Sequence, residues 1–192
     1  AIGDVCLGSK LGNKAMLVGA AVATIPDLDV LLLPLYNEIQ RISIHRGYSH
    51  SILLSIVGAV VLAWIFKRTS WGKAIDIKAW IWSLWLMLIT HMLLDAFTSY
   101  GTQLFLPFSD YRMSFDSISI VDPAYTLPLL LGLILSGAFR SRRKKDYHFS
   151  RYALIVSSLY LCLTIVVKQQ VSSEGKSQLT AQDIRFIDFR TV

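Results

Sequence analysis

Charge is scarce in this chain. Asp, Glu, Lys and Arg make up only 17% of its 192 residues, against roughly a quarter in an ordinary soluble domain. Cysteine is scarcer still. Cys6 and Cys162 are too few for a disulfide framework, and with Cys162 inside an apolar block they read as two unpaired, structural thiols. No signal peptide is visible, because the opening from Ala1 lacks a charged stretch followed by an apolar one; the chain reads as a piece of a longer protein. No internal repeat is evident. Two catalytic signatures are also missing: the HExxH of zinc proteases and the PSGH expected of lipid phosphatases of the phosphatidic-acid type.

Apolar residues are what the chain has in excess. They make up 54% of it, the mean hydropathy is +0.51, and they cluster into five blocks at about residues 14–36, 50–66, 79–97, 124–139 and 152–168. A bilayer-spanning helix needs about 17–25 such residues. The pattern therefore predicts an all-α integral membrane protein of about five transmembrane helices. The first block carries Pro26, which removes a backbone donor and is expected to break its helix. Broken backbone is tolerated at membrane depth only where protein or a water-filled cavity receives it. Residues 1–168 form the multi-pass membrane domain in this reading. Residues 169–192 form a polar extracytoplasmic tail, the start of a soluble region, with SSEGKSQ as linker and DIRFIDFRTV as a first strand.

The net charge of +6 does not point to nucleic acid, because the basic residues sit in short loops between apolar blocks, where they set topology. Lys10 and Lys14, then Lys67, Arg68, Lys73 and Lys78, then Arg140, Arg142, Arg143, Lys144, Lys145 and Arg151 flank the blocks on one side. The alternate loops hold only Arg41, Arg46 and Arg112. Twelve against three places the first set in the cytoplasm and the second outside.

Seven ionisable residues lie inside or beside apolar blocks: Asp27, Asp29, His45, Arg46, His50, His91 and Asp95. Charge near the bilayer core is costly and marks function by default. The topology puts all three Asp and all three His on the outer side at similar depth. His91 and Asp95, four apart, share one helix face. His45 and His50, five apart, splay by about 140° on a regular helix, so His45 must lie in the preceding loop. Gly47 eases that bend and Ser49 is a candidate cap for the following helix. Asp27 and Asp29 diverge on a helix unless Pro26 opens a new turn.

Taken singly, each motif has an ordinary explanation. A lone HxxxD is more often a buried hydrogen-bonded pair, PDLD a helix restart, and HRGYSH an interfacial loop. Together on one side they predict a metal site. Mixed imidazole and carboxylate donors suit zinc, favoured here, or manganese or iron. Six donors exceed one tetrahedral ion's needs, so either some orient the ligands or two ions bind. The expected chemistry is hydrolysis by metal-activated water, with an unligated aspartate, Asp29, as general base and Arg46 holding a carboxylate or phosphate. His148 has no assigned role.

The segments GNKAMLVGAAVATIPDLDVL, HRGYSHSILLS, THMLLDAFTSYGTQLFLPFS and ISIVDPAYTLPLL, in this order over about residues 1–135, resemble the bacterial membrane-bound, metal-dependent hydrolase family of the YdjM type. The resemblance implies a multi-pass protein of the inner membrane with its site facing the periplasm. It implicates Asp27, Asp29, His45, Arg46, His50, His91 and Asp95, and it adds Asp122 in VDP as a possible further site residue. Family members begin upstream with a Thr-His or Thr-Gln pair, absent here, and continue into a soluble C-terminal region. The family label supplies no substrate. A site opening near headgroups fits an amphiphilic substrate such as a lipid-linked phosphoester or amide. The alternatives are a non-catalytic metal-binding membrane protein and an ion- or proton-coupled transporter. The transporter would call for ionisable groups through the full membrane depth, whereas the inner halves of these blocks are bare.

Overall fold

The computed structural model describes residues 1–37, 41, 45–143 and 148–182. Helices α1 (Ile2–Leu11) and α2 (Lys14–Thr24) form a short hairpin, and a 3-10 helix, Pro26–Leu35, continues α2. A 3-10 turn at Tyr48–His50 leads into α3 (Ile52–Lys67), followed by α4 (Ile77–Ala96), α5 (Pro123–Arg143) and α6 (Phe149–Ala181). Among the described residues the only extended pairing is an isolated bridge between Thr102 and Met113.

All five apolar blocks are helical. Lys14–Leu35, Ile77–Ala96, Pro123–Arg140 and Phe149–Ala181 are long and apolar enough to cross a membrane, and Ile52–Lys67 is a shorter apolar helix. Their outer faces are studded with exposed Leu, Ile, Val and Trp, including Leu31, Trp82 and Leu159. In water such continuous apolar surface would be covered by a partner; on spanning helices it meets lipid. Helix α4 is the most buried span. Its residues Trp80, Leu84, Met87, Leu88 and Met92 form the centre of the core, against which α1, α2 and α3 pack, while α5 and α6 pair with each other.

The break expected at Pro26 is present: α2 stops at Thr24 and the chain restarts at Pro26 as a 3-10 helix. Helix α1 was not expected, because residues before the first block read only as a basic flank. It forms because Gly3 and Gly19 let two backbones touch. A Cβ on Gly3 would lie 2.5 Å from the Ala15 carbonyl oxygen and 2.9 Å from the Gly19 Cα, closer than any side chain permits. Asp4 then fastens α1 to the far hairpin. Its carboxylate accepts from Arg140 Nη1 at 2.6 Å and from Ser150 Oγ at 2.6 Å.

The reading of SSEGKSQ as linker is overturned, because α6 runs unbroken through it to Ala181. That stretch holds no proline and its single glycine, Gly175, costs a helix only about 1 kcal/mol, so nothing stops the helix. DIRFIDFRTV lies outside the described residues.

Between α4 and α5 the chain folds back over the ends of α3 and α4. Gln103 N–H donates to the Arg46 carbonyl, Ile52 N–H to the Leu104 carbonyl, and Phe115 N–H to the Ala96 carbonyl. Leu104 is buried beneath it, while Phe105, Phe108 and Tyr111 point outward, Phe108 being 85% exposed. Exposed aromatics at the end of a bundle of spanning helices match the belt where rings sit at headgroup level.

Candidate metal centre

The candidate residues arrive from three places. Asp27 and Asp29 lie in the first turn of the 3-10 helix, His45, Arg46 and His50 in the entry to α3, and His91 and Asp95 one turn apart near the end of α4. All lie at the end of α3 and α4 opposite the basic connection at 68–76. Four side chains converge so that one donor atom from each lies within 4.8 Å of the others: Asp27, His50, His91 and Asp95.

The edges of this group are regular. His50 Nε2 lies 3.1 Å from Asp95 Oδ2 and 3.4 Å from Asp27 Oδ1. His91 Nε2 lies 3.3 Å from Asp27 Oδ1 and 3.6 Å from Asp95 Oδ2. Metal–donor bonds of about 2.0–2.1 Å in a tetrahedron put neighbouring donors about 3.3 Å apart. Two of these atoms, His50 Nε2 and Asp95 Oδ2, are buried and have no hydrogen-bond partner. They are 3.1 Å apart, yet their alignment is not that of a hydrogen bond. Buried polar atoms are almost always satisfied, and a cation between the four donors would satisfy both. The donor set fits a divalent ion of the zinc, manganese or iron type.

The remaining candidates surround this group. Asp29 is buried and accepts from Ser49 Oγ at 2.8 Å and from the Arg46 backbone N–H at 3.1 Å, with His45 Nδ1 at 3.2 Å. Ser49 Oγ also lies 2.9 Å from His50 Nδ1, and that ring edge is 3.7 Å from Asp29 Oδ2. With its Nδ1 so occupied, His50 turns Nε2 to the centre, the usual way a ligating imidazole is oriented. Ser49 is therefore not the helix cap. Ser51 holds that place, its side chain accepting from the Leu54 N–H, because α3 starts two residues later than the spacing implied.

Arg46 holds a carboxylate, and it is one of the protein's own. Nη2 lies 3.3 Å from Asp95 Oδ1, and Nη1 donates to Thr98 Oγ1 at 2.8 Å. Its φ of 58° is left-handed, a conformation that costs a non-glycine residue roughly 1–2 kcal/mol. The bend between the two histidines is thus shared by Arg46 and Gly47, whose φ of −93° and ψ of −117° lie outside the regions that side-chain-bearing residues favour. The peptide groups on both sides explain how it is held: Arg46 N–H reaches Asp29 while its carbonyl receives Gln103 N–H. Tyr100 packs against this corner, its ring T-shaped to that of His45 with centroids 5.5 Å apart and 5.2 Å from the Arg46 guanidinium carbon.

Asp122 has other work. Its Oδ1 accepts from the Ala124 and Tyr125 N–H groups at the start of α5, and its Oδ2 from Tyr160 Oη at 3.0 Å. It caps one helix and ties it to another, and is not in the converging group. Sequence reasoning missed Ser49, Thr98 and Tyr100 as supports. Hydroxyls and rings beside apolar blocks are too common to stand out, and only their contacts distinguish them. Exposure within the group is uneven: the Asp27 side chain is 44% exposed and that of His50 fully buried, so the centre opens on the Asp27 side.

A family model described as YdjM inner membrane protein matches residues 1–171. The chain is 31% identical over 122 residues to the uncharacterized protein YfhP of Bacillus subtilis (strain 168), a match covering 62% of this chain and 36% of that protein. It is 31% identical over 115 residues to the inner membrane protein YbcI of Escherichia coli (strain K12), covering 56% of this chain and 65% of that one. The chain therefore spans about a third of the first relative and just under two thirds of the second. No solved structure matches. The chain belongs to the YdjM inner membrane protein family, and its apolar helices agree with a bacterial inner-membrane location.

Proposed function

We propose that this member of the YdjM inner membrane protein family is a metal-dependent hydrolase whose metal is held by Asp27, His50, His91 and Asp95. The observation that carries the reading is the pair of buried donor atoms, His50 Nε2 and Asp95 Oδ2, which lie 3.1 Å apart without a hydrogen bond in a ring of four donors whose His–Asp edges measure 3.1–3.6 Å. Zinc is the preferred ion, with manganese or iron as the other candidates, and one ion accounts for the four donors. Such an ion supplies a Lewis-acid centre and lowers the pKa of a ligating water toward neutrality.

The chain's own residues then divide the remaining tasks. Arg46 offsets the charge of Asp95 and fixes its position. Asp29 holds Ser49, His45 and the Arg46 backbone, so we assign it a positioning role for His50 and for His45. His45, partly exposed and backed by the Asp29 carboxylate, is placed as an acid–base group of the kind in which a carboxylate orients an imidazole. The exposed aromatic ring of Phe108 and the apolar spans favour an amphiphilic substrate presented at headgroup level. The loop-charge bias favours a site facing the periplasm.

One observation favours a second reading. Four protein donors would be enough to fill a structural zinc site, whereas catalytic zinc keeps a position for water. A non-catalytic metal site is that alternative. Under the hydrolase reading water and substrate would reach the ion from the side of Asp27, the most exposed of the four donors.

The test is metal analysis of the purified protein beside His50→Ala and His91→Ala. Wild type is expected to retain about one divalent ion per chain and both variants to lose it; equal metal in all three removes the site. A lipid-extract turnover screen on metal-loaded wild type and a His45→Ala variant then separates hydrolase from storage. Turnover by wild type that drops in the variant is the expected result, and no turnover of any extract component favours the non-catalytic site.

A further inference from the structure

Both prongs of the Arg46 guanidinium end on one residue. Nη2 lies 3.3 Å from the side-chain Oδ1 of Asp95. Nη1 donates at 2.8 Å to Thr98 Oγ1, and that hydroxyl in turn donates at 2.7 Å to the Asp95 main-chain carbonyl. A threonine hydroxyl three residues past a carbonyl readily bonds back to it, so this second bond alone would be ordinary. Burial and the first bond set Thr98 apart. It is 3% exposed, and the group it receives belongs to a residue 52 positions earlier in the chain.

The hydroxyl is aimed by its own proton. It has one proton and two lone pairs, whereas a guanidinium only donates. With the proton committed to the Asp95 carbonyl, the oxygen turns an acceptor toward Arg46. The root of the Arg46 side chain is fixed as well, its N–H on Asp29 and its carbonyl under the Gln103 N–H. Held at the root and at Thr98, the guanidinium keeps Nη2 beside Asp95 Oδ1. The consequence falls on the donor group. Asp95 Oδ2 is the oxygen that faces His50 and His91. A carboxylate can bind an ion through one oxygen or through both, and here Oδ1 is drawn away to Arg46.

We propose that Thr98 is a positioning residue of the metal centre: by fixing Arg46 it holds Asp95 to a single donor oxygen, Oδ2, so that this ligand contributes one donor atom and not two. This role rests on the metal-centre reading and bears on its chemistry. A donor atom that the protein withholds is a place left for water, the feature that separates catalytic from structural sites.

The experiment uses the whole chain in detergent, stripped with a chelator and reloaded with cobalt(II), whose visible absorption weakens as donor atoms are added to its shell. Cobalt content per chain, the visible spectrum and thermal stability are recorded together. Thr98→Val and, independently, Thr98→Ala remove the hydroxyl. Each is expected to weaken the absorption per bound cobalt severalfold, and Thr98→Ser to restore it. Arg46→Met is expected to match Thr98→Val, and the double variant to go no further, because both act through one contact. A hydroxyl that only ties down the end of α4 would lower stability in Thr98→Val and leave the spectrum unchanged, and that result overturns the proposal. So does a spectrum that Thr98→Ser fails to restore, or one that changes in Arg46→Met alone. Wild type that takes up no cobalt removes the metal centre and this role with it. Cobalt uptake with the same spectrum in every variant removes the role of Thr98 and leaves the metal centre standing.

Discussion

Ser49 shows how a single hydroxyl decides the direction of a ligand. Its Oγ lies 2.8 Å from Asp29 Oδ2 and 2.9 Å from His50 Nδ1, and so joins the two groups that fix the His50 ring. Removing it leaves four donor residues in place but frees that ring. Ser49→Ala is expected to fold as wild type and to bind the ion about 10–100-fold more weakly, as when other partners of metal-binding histidines are lost. Competition against a chelator of known affinity measures this, and unchanged affinity would show that the ring is held by packing alone. Arg46 carries a similar lesson. As a sequence letter it offers a fork for any carboxylate or phosphate; in place, both its Nη atoms are engaged within the protein, by Asp95 and Thr98.

Among the elements, α1 depends on one buried ion pair. Asp4 is nearly inaccessible and its two oxygens are taken by Arg140 from α5 and Ser150 from α6, so three helices meet at one carboxylate. Breaking a buried pair by removing one partner strands a charge and costs about 3–5 kcal/mol. Arg140→Ala is expected to lower thermal stability in detergent by that order, and the double variant with Asp4→Asn to recover part of it. Protease accessibility of α1 gives a second reading of the same loss, and additive losses in the double variant would mean that the two side chains do not act as a pair. The close approach of Gly132 to α6 belongs to the same scale. A Cβ there would lie 2.4 Å from the Ala153 Cβ, so the α5–α6 hairpin admits no larger residue without moving a helix.

Across the whole molecule, the basic connection at 68–76 and the donor group occupy opposite ends of the α3–α4 hairpin. The count of loop Lys and Arg favours the proposed orientation, with the donor end outside. A cysteine at exposed Ser109, in a chain with Cys6 and Cys162 replaced by serine, is expected to react with an impermeant thiol reagent added to intact cells. Protection there, with labelling only after lysis, would turn the molecule over and place the donor group in the cytoplasm.

The amino-acid sequence by itself determined the membrane class, the five apolar helices, the break at Pro26 and the residues of the donor group. Each of these depends on local composition or on spacing along one element, which a sequence displays directly. His91 and Asp95 share a face because they are four apart, whatever else the chain does. Which donors meet was decided only by the tertiary structure. Asp27 and Asp29 are neighbours in sequence, yet a 3-10 turn sends one to the centre and the other to Ser49 and His45. The helix α1, the capping role of Asp122 and the continuation of α6 through SSEGKSQ were likewise invisible beforehand. All three depend on contacts between residues far apart in the chain or on competition between weak local preferences, and such terms are settled only when the helices pack.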